Sequence, residues 1–390
     1  MSSAAPSARR EELGSKGRRR LAAHRAASAG GEAGPLTFAE AAPLLEPHLR
    51  SGRASGVVLA VSGGPDSIAL MRFAAALWSV GGGASLTAAT VDHGLRHESR
   101  EEAAAVAEWA GACGLPHRIL PWAGNKPSTG LQAAAREARY RLLAALARET
   151  GASHVLTAHH RDDQAETILM RLTRGSGPSG LIGMAREASR HGVTVARPFL
   201  TVRKARLVAA CRAEGWPFFD DPSNADPRFT RTRVRRLLTL AEAEGLTPER
   251  LSRLALRLGR WEEVVERAAD RAFAATATSE GEVFAVDGAR LIQKPEEVIV
   301  RVLSRAVESV ARDARRLRLE RMEDMAQALT AALRNGDKFR ANLGGALVEA
   351  RPDGCVVLRA EPPRRERRPR PVRPDAAGAP HSLGTKEPRA

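Results

Sequence analysis

Apolar positions in the first 220 residues follow two alternating rhythms. Short, nearly continuous apolar runs at Val57–Val61, Leu86–Val91, His117–Leu120 and His154–Thr157 predict strands. Between them, stretches with apolar residues three and four apart predict helices over Ser67–Val80, Arg100–Cys113, Leu131–Thr150 and Asp162–Arg174. Such alternation builds a parallel sheet covered by helices on both faces, so the expected fold is α/β, a doubly wound parallel sheet. Ligands of these sheets sit at the carboxyl ends of the strands.

Beyond Thr247 the pattern turns helical, with helices expected over Thr247–Thr278, Pro295–Ala311 and Leu317–Leu333. Gly-punctuated short strands follow near Lys338–Leu358. The organisation expected is a disordered extension over 1–35, a sheet domain over 36–240, a mainly helical domain over 241–335, a short β region over 336–360 and a disordered Pro/Arg-rich tail over 361–390. The first residues lack the apolar core of a secretory signal.

Composition narrows the class. The chain has 390 residues, 43% of them hydrophobic, which suits a globular protein with a sizeable core. No apolar run is long enough to span a membrane. Cys113, Cys211 and Cys355 lie far apart with no CxxC pair. That spacing disfavours a disulfide framework, a zinc ribbon or an iron–sulfur site and fits a reducing cytoplasm.

Net charge is +16, and its distribution matters more than its size. The two end segments contribute half, with 7 Lys/Arg against 3 Asp/Glu in residues 1–35 and 8 against 4 in 361–390. Within the folded part, residues 201–239 hold 9 basic against 4 acidic residues. A basic region of this kind favours a polyanion such as nucleic acid over a small acid.

The chemistry begins at "VLAVSGGPDSIAL", where a strand breaks into Ser62-Gly63-Gly64-Pro65-Asp66-Ser67 and a helix starts at once. Paired glycines let a ligand approach the backbone, and a helix start aims free N–H groups at one point. The loop has no Walker A lysine, so it suits two phosphates held on N–H groups and the Ser62 and Ser67 hydroxyls, with Asp66 as a magnesium ligand.

Further motifs fall at the ends of later strands. "TVDHGLR" brings His93 and Arg96, and "AREARY" puts Arg136 and Arg139 on one helix face beside Tyr140. In "AHHRDDQAET", His159 and His160 precede a helix whose Asp163 and Glu166 stand three apart, a pair of carboxylates suited to a dication or a metal. Acids in a first helical turn also simply complement the helix dipole. A glycine-rich "RGSGPSGLIGM", "RPFL" with Arg197, and "DDPSNADPRFTRTRVRR" complete the series.

SGGxDS is similar to the signature of PP-loop ATP pyrophosphatases, which cleave ATP between its α- and β-phosphates. The whole ordered set, from about Val57 to about Arg236, resembles the tRNA(Ile)-lysidine synthetases within that group. The resemblance implies an adenine nucleotide alpha hydrolase-like sheet with a tRNA-binding helical domain behind it. It implies ATP-dependent attachment of L-lysine to C2 of the wobble cytidine, position 34, of a CAU-anticodon tRNA(Ile), through an adenylated cytidine.

Carried over residue by residue, Ser62, Gly63, Gly64, Pro65, Asp66 and Ser67 hold ATP, and Asp66 places Mg2+. Asp163 and Glu166 bind the lysine, and Arg139 stabilises charge near the reacting centre. His159 belongs to the catalytic set without a definite role. Arg231, Arg233 and Arg235 are the choices for tRNA backbone contacts. The implied partners are the tRNA and L-lysine, without a membrane, the chain acting alone or as a homodimer. Thr232 stands where the family usually has Asn.

Three other readings compete. A PP-loop tRNA thiolase of the 2-thiocytidine/2-thiouridine type would want paired cysteines or a cluster. A non-catalytic RNA-binding relative would have lost Asp66, Asp163 or Glu166. A small-molecule synthetase of the amidotransferase type has no use for the basic helical half.

Overall fold

In the computed structural model, strand β1 (Gly56–Ala60) lies at the centre of a six-stranded sheet, between β2 (Ser85–Asp92) and β4 (His154–Leu156). With β3 (His117–Pro121), β5 (Glu187–Arg190) and β6 (Val193–Ala196), the order is β3-β2-β1-β4-β6-β5. All neighbours pair in parallel except β5, which runs antiparallel to β6 at one edge. The structure describes residues 34–50, 54–81, 83–94, 98–220, 230–280, 283–311 and 318–361. The disorder expected for the two ends falls outside these, apart from Gly34, Pro35 and Glu361, as do Arg96 and residues 221–229.

The near-continuous apolar character of β1 has a direct cause: both of its faces are covered. Val57 and Leu59 point into a cluster with Leu45, Phe73, Phe199 and Leu207, whereas Val58 points the other way, against Tyr140, Leu143 and Ala147. The first cluster draws on α1 (Phe38–Leu49), α2 (Pro65–Gly81), α3 (Ser99–Ala112) and α7 (Lys204–Ala213); the second draws on α4 (Leu131–Glu149). Helices α5 (Arg161–Leu172) and α6 (Pro178–Leu181) follow β4. The doubly wound sheet expected from the pattern is thus present.

The β5–β6 hairpin was not expected. Its strands are four residues each, and Glu-Ala-Ser-Arg in β5 carries no apolar alternation. The hairpin closes through His191 (φ 50°) and Gly192 (φ 81°), a two-residue turn with both centres left-handed.

The chain divides into two compact units at Val264/Val265, inside α9 (Pro248–Thr276), and not where the composition changes near residue 240. The reason is a small core in which Val234 and Leu238 of α8 (Thr230–Ala243) and Leu251 and Ala255 of α9 pack on Ala165, Ile168 and Leu169 of α5.

The second unit has the helices expected there, α11 (Glu296–Val310) and α12 (Leu319–Asn335), after the short α10 (Gly288–Leu291). It has more sheet than expected. Two strands, β7 (Ala277–Glu280) and β8 (Val283–Asp287), join β9 (Phe339–Leu343), β10 (Ala346–Ala350) and β11 (Cys355–Ala360) in the antiparallel order β7-β8-β11-β10-β9. The β region expected over 336–360 is three of those five strands. Val302, Leu303, Leu329, Val348 and Val356 fill the core between helices and sheet. Among the described residues no helix is long and apolar enough to cross a membrane.

Candidate active site

The loop Ser62–Ser67 leaves the carboxyl end of β1 and turns into α2. Gly63 has φ +88°, and a Cβ there would meet Phe219 at 2.9 Å and Val106 at 3.2 Å. The Gly63 carbonyl also accepts from the Phe219 N–H at 2.9 Å. Ser67 holds the turn closed: its hydroxyl accepts from the Ser62 N–H at 3.1 Å and donates to the Gly64 carbonyl at 2.9 Å. Pro65 opens the helix, where a missing N–H costs nothing, and the Ser67 and Ile68 N–H groups close the turn on the Gly64 carbonyl at 3.1 and 3.0 Å.

β1 and β4 are parallel neighbours, so the loops at their carboxyl ends meet. Asp66 Oδ2 lies 3.4 Å from His160 Nε2 and 3.9 Å from Lys204 Nζ. Asp66 Oδ1 is buried with no hydrogen-bond partner among the described residues. His160 is the N-cap of α5: Nδ1 accepts from the Asp163 N–H at 3.2 Å, and its own N–H donates to Asp163 Oδ2 at 3.1 Å. Nδ1 is thereby an acceptor, which leaves the ring proton on Nε2, facing Asp66 and Asp163. Burial alone would lower the His160 pKa, yet Asp163, Asp66 and Asp162 outweigh it and hold it above its ordinary value. Asp162 has a structural task, accepting from the Lys204 N–H at 2.8 Å.

Asp163 and Glu166 have different nearest cations, His160 for the first and Arg235 for the second. Burial works to raise the Asp163 pKa, but His160, His159 and Arg231 outweigh it and keep it below the usual carboxylate range. Glu166, one turn on, is 1% exposed and turns toward α8. Arg235 Nε donates to Glu166 Oε1 at 2.8 Å, and Arg231 Nε lies 4.0 Å from Oε2, which has no hydrogen-bond partner among the described residues. Two of the arginines expected on an RNA backbone therefore face a carboxylate expected on lysine. Arg233 is exposed and donates to Thr230 at 3.3 Å; Thr232 is buried within α8.

A second set of cations gathers about Tyr140 and His159. Arg136 stacks 5.2 Å from the Tyr140 ring, and Arg190 of the unexpected hairpin lies 5.5 Å from the same ring. Desolvation lowers the Arg136 pKa, and repulsion by Arg231, Arg197 and Arg190 adds to it despite Tyr140. Desolvation lowers the Arg139 pKa and repulsion by Arg136 and Arg231 adds to it despite Tyr140, and the Arg139 charge also reaches His93 just after β2. An excess of guanidinium groups that repel one another is a receptor for phosphate. His159, bonded through Nδ1 to Thr157 Oγ1 at 2.8 Å, is pulled down to about 3, by burial first and then by Arg197, Arg136 and Arg231 against Asp163. It is neutral at physiological pH.

Lys204, Arg190 and the Glu166–Arg235 contact were not anticipated. Lys204 follows Asp66 by more than a hundred residues, and no local spacing signals their meeting.

The PP-loop domain model matches residues 40–242. A tRNA(Ile)-lysidine synthase of Methylobacterium sp. (strain 4-46) is 53% identical over 337 residues, covering 85% of this chain and 96% of its own. One from Rhodopseudomonas palustris (strain ATCC BAA-98 / CGA009) is 47% identical over 324 residues, with 80% and 93% covered. The chain belongs to the tRNA(Ile)-lysidine synthase family. Among solved structures it is similar to the U34-tRNA thiolase NcsA from Methanococcus maripaludis with its 4Fe–4S cluster, at 16% identity and TM-score 0.48, covering 57% of this chain and 79% of that one.

Membership in the lysidine synthase family agrees with the thiols. Burial, and then Asp66, pushes Cys211 up to about 12, and burial also raises Cys113. Neither is the low-pKa thiolate that sulfur transfer needs. As a PP-loop ATP pyrophosphatase of this family, the chain uses ATP.

Proposed function

We propose that this chain ligates L-lysine to C2 of the wobble cytidine of a CAU-anticodon tRNA(Ile), giving lysidine, AMP and pyrophosphate, so that the tRNA reads AUA. Extensive identity to lysidine synthases supports the reading, and one structural observation carries it: Asp66 of the nucleotide loop meets the His160–Asp163 helix start at 3.4 Å. That contact sets a phosphate cradle beside an acidic helix.

The chemistry has two steps. The cytosine C2 oxygen attacks the α-phosphorus of ATP; the bond to the bridging oxygen breaks and pyrophosphate leaves with the electron pair. The lysine ε-amine, having shed its proton to solvent, then attacks C2, and AMP departs with the former C2 oxygen.

In this reading, the N–H groups and hydroxyls of Ser62–Ser67 hold the departing pyrophosphate. Arg139, with Arg136 beside it, faces the charge that grows on the α-phosphate. Asp163 and Glu166 receive the amino acid's ammonium groups. His159 is too weak a base to deprotonate an ammonium at a pKa of about 3, so it orients rather than transfers a proton. Residues 241–335 supply further tRNA contacts, as do Arg231, Arg233 and Arg235.

The family's chemistry calls for Mg2+, and the orphaned, buried Asp66 Oδ1 suits it. An ion of this kind takes one or two carboxylates plus phosphate oxygens. When bound it would neutralise phosphate charge.

The test is incubation with ATP, labelled lysine and a CAU-anticodon tRNA(Ile), followed by nucleoside mass analysis. Lysidine at position 34, made only when all three are present, is expected. A thiolated nucleoside, or no lysine incorporation, overturns the reading.

A further inference from the structure

The acidic pocket assigned to lysine is already filled by the protein's own cations. Glu166 is 1% exposed, whereas Arg235, its partner at 2.8 Å, is 39% exposed on α8. Arg231, 41% exposed, sits 4.0 Å from the other carboxylate oxygen. The charges of both arginines also reach Asp163. Two carboxylates facing two guanidinium groups leave little net attraction for a third cation, and an incoming ammonium would meet like charges at close range.

The contact is also incomplete. Glu166 Oε2 is buried without a hydrogen-bond partner among the described residues, a costly state for a permanent structural ion pair. The cations come from a helix whose outer face carries Arg233 and Arg236, both exposed. A polyanion on that face would compete for the half-exposed guanidinium groups but could not reach the buried carboxylate.

We infer that Arg235 is a latch on the amino-acid pocket: without tRNA its guanidinium occupies the Glu166 carboxylate, and the tRNA's phosphates draw it away so that lysine's ammonium can enter. The inference rests on the lysine-binding role proposed for Glu166. It makes lysine binding depend on tRNA, and by thermodynamic reciprocity it makes tRNA binding depend on lysine to the same degree.

Equilibrium dialysis of labelled L-lysine against the full chain, with and without a CAU-anticodon tRNA(Ile), tests it. In the unaltered protein, lysine should bind on the order of tenfold more tightly with tRNA present. Arg235→Gln should bind lysine about tenfold more tightly than the unaltered protein when tRNA is absent, with little further gain on adding tRNA. Lysine affinity unchanged or weakened by Arg235→Gln overturns the latch, since a residue that merely aims Glu166 would give that result. If the variant does not fold, filter binding of tRNA to the unaltered protein with and without lysine decides, and absence of coupling overturns the proposal. Glu166→Gln separates the two readings: lysine binding that survives it with tRNA present removes the pocket assignment itself.

Discussion

His160 Nε2 stands 3.4 Å from Asp66 Oδ2 and 3.4 Å from Asp163 Oδ2, so one buried imidazole joins the loop after β1 to the helix after β4. The ring holds three things at once: the N-cap of α5, the aim of Asp66 and the ionised state of Asp163. His160→Gln keeps an amide in the space but removes the imidazole Nε2–H that stands between the two carboxylates. Pyrophosphate release should fall by about 10²-fold, the scale on which misplacement of a reacting group acts. A steady-state assay of tRNA- and ATP-dependent pyrophosphate release checks it, with circular dichroism to show that the fold persists.

The carboxylates of α5 can be separated from the nucleotide loop. Asp163→Asn combined with Glu166→Gln should raise the KM for lysine by at least about tenfold, the scale of losing charged hydrogen bonds. ATP–pyrophosphate exchange in the presence of tRNA should suffer far less. Equal loss in both assays would show that these acids serve the first step.

The two glycines of the loop should respond differently to the same change. Gly63→Ala places a methyl 2.9 Å from Phe219 on a backbone with φ +88°, and should cost about 1–3 kcal/mol of stability. At Gly64 the nearest atom to a new Cβ is Ser62 Oγ at 3.9 Å, so Gly64→Ala should fold normally. Its methyl would stand where a phosphate approaches the backbone, and the KM for ATP should rise. Thermal melts and ATP titrations distinguish the pair.

Acid should loosen the junction between α5 and α9. Burial tends to raise the Glu249 pKa, but Arg203, Arg161 and Thr247 outweigh it and bring it down to about 2, from an ordinary value of 4.5. The folded state therefore prefers the ionised form. The stability this contributes is whole above pH 4.5 and drains away as pH falls toward 2. Glu249→Gln should melt at a lower temperature than the unaltered protein at pH 7, and the gap should close as pH falls toward 2.

Tyr140 offers a test of how the arginines stacked on it are held. Its buried ring lies under both Arg136 and Arg190. Tyr140→Phe keeps the ring and should retain activity within about threefold, whereas Tyr140→Leu loses both stacks and about 1–2 kcal/mol. A KM for ATP or tRNA raised by Leu but not by Phe would confirm that the ring positions the cations.

Much of the catalytic unit was legible as sequence because its signals are local. An apolar run, a glycine pair and a capping residue each act within a few positions, so strand β1, the turn at Gly63 and the start of α2 are dictated where they stand. The same holds for β4 and the acids of α5, but the His160 cap was not foreseen, because a histidine seldom caps a helix. The β5 strand was illegible for the opposite reason: Glu-Ala-Ser-Arg pairs only because β6 folds back on it. Likewise β8 becomes a strand by pairing with β11, Val286 against Val356, some seventy residues further on.

What the chain's order of residues determined by itself was therefore the α/β alternation of the first unit, the glycine turn after β1 and the roster of charged groups at the strand ends. Which charge each group meets was decided only by tertiary structure. Asp66 finds His160 because β1 and β4 are parallel neighbours, and Glu166 finds Arg235 because Val234 and Leu238 seat α8 on α5. Coulomb attraction acts through space, and the packing of apolar faces, not sequence spacing, sets those distances.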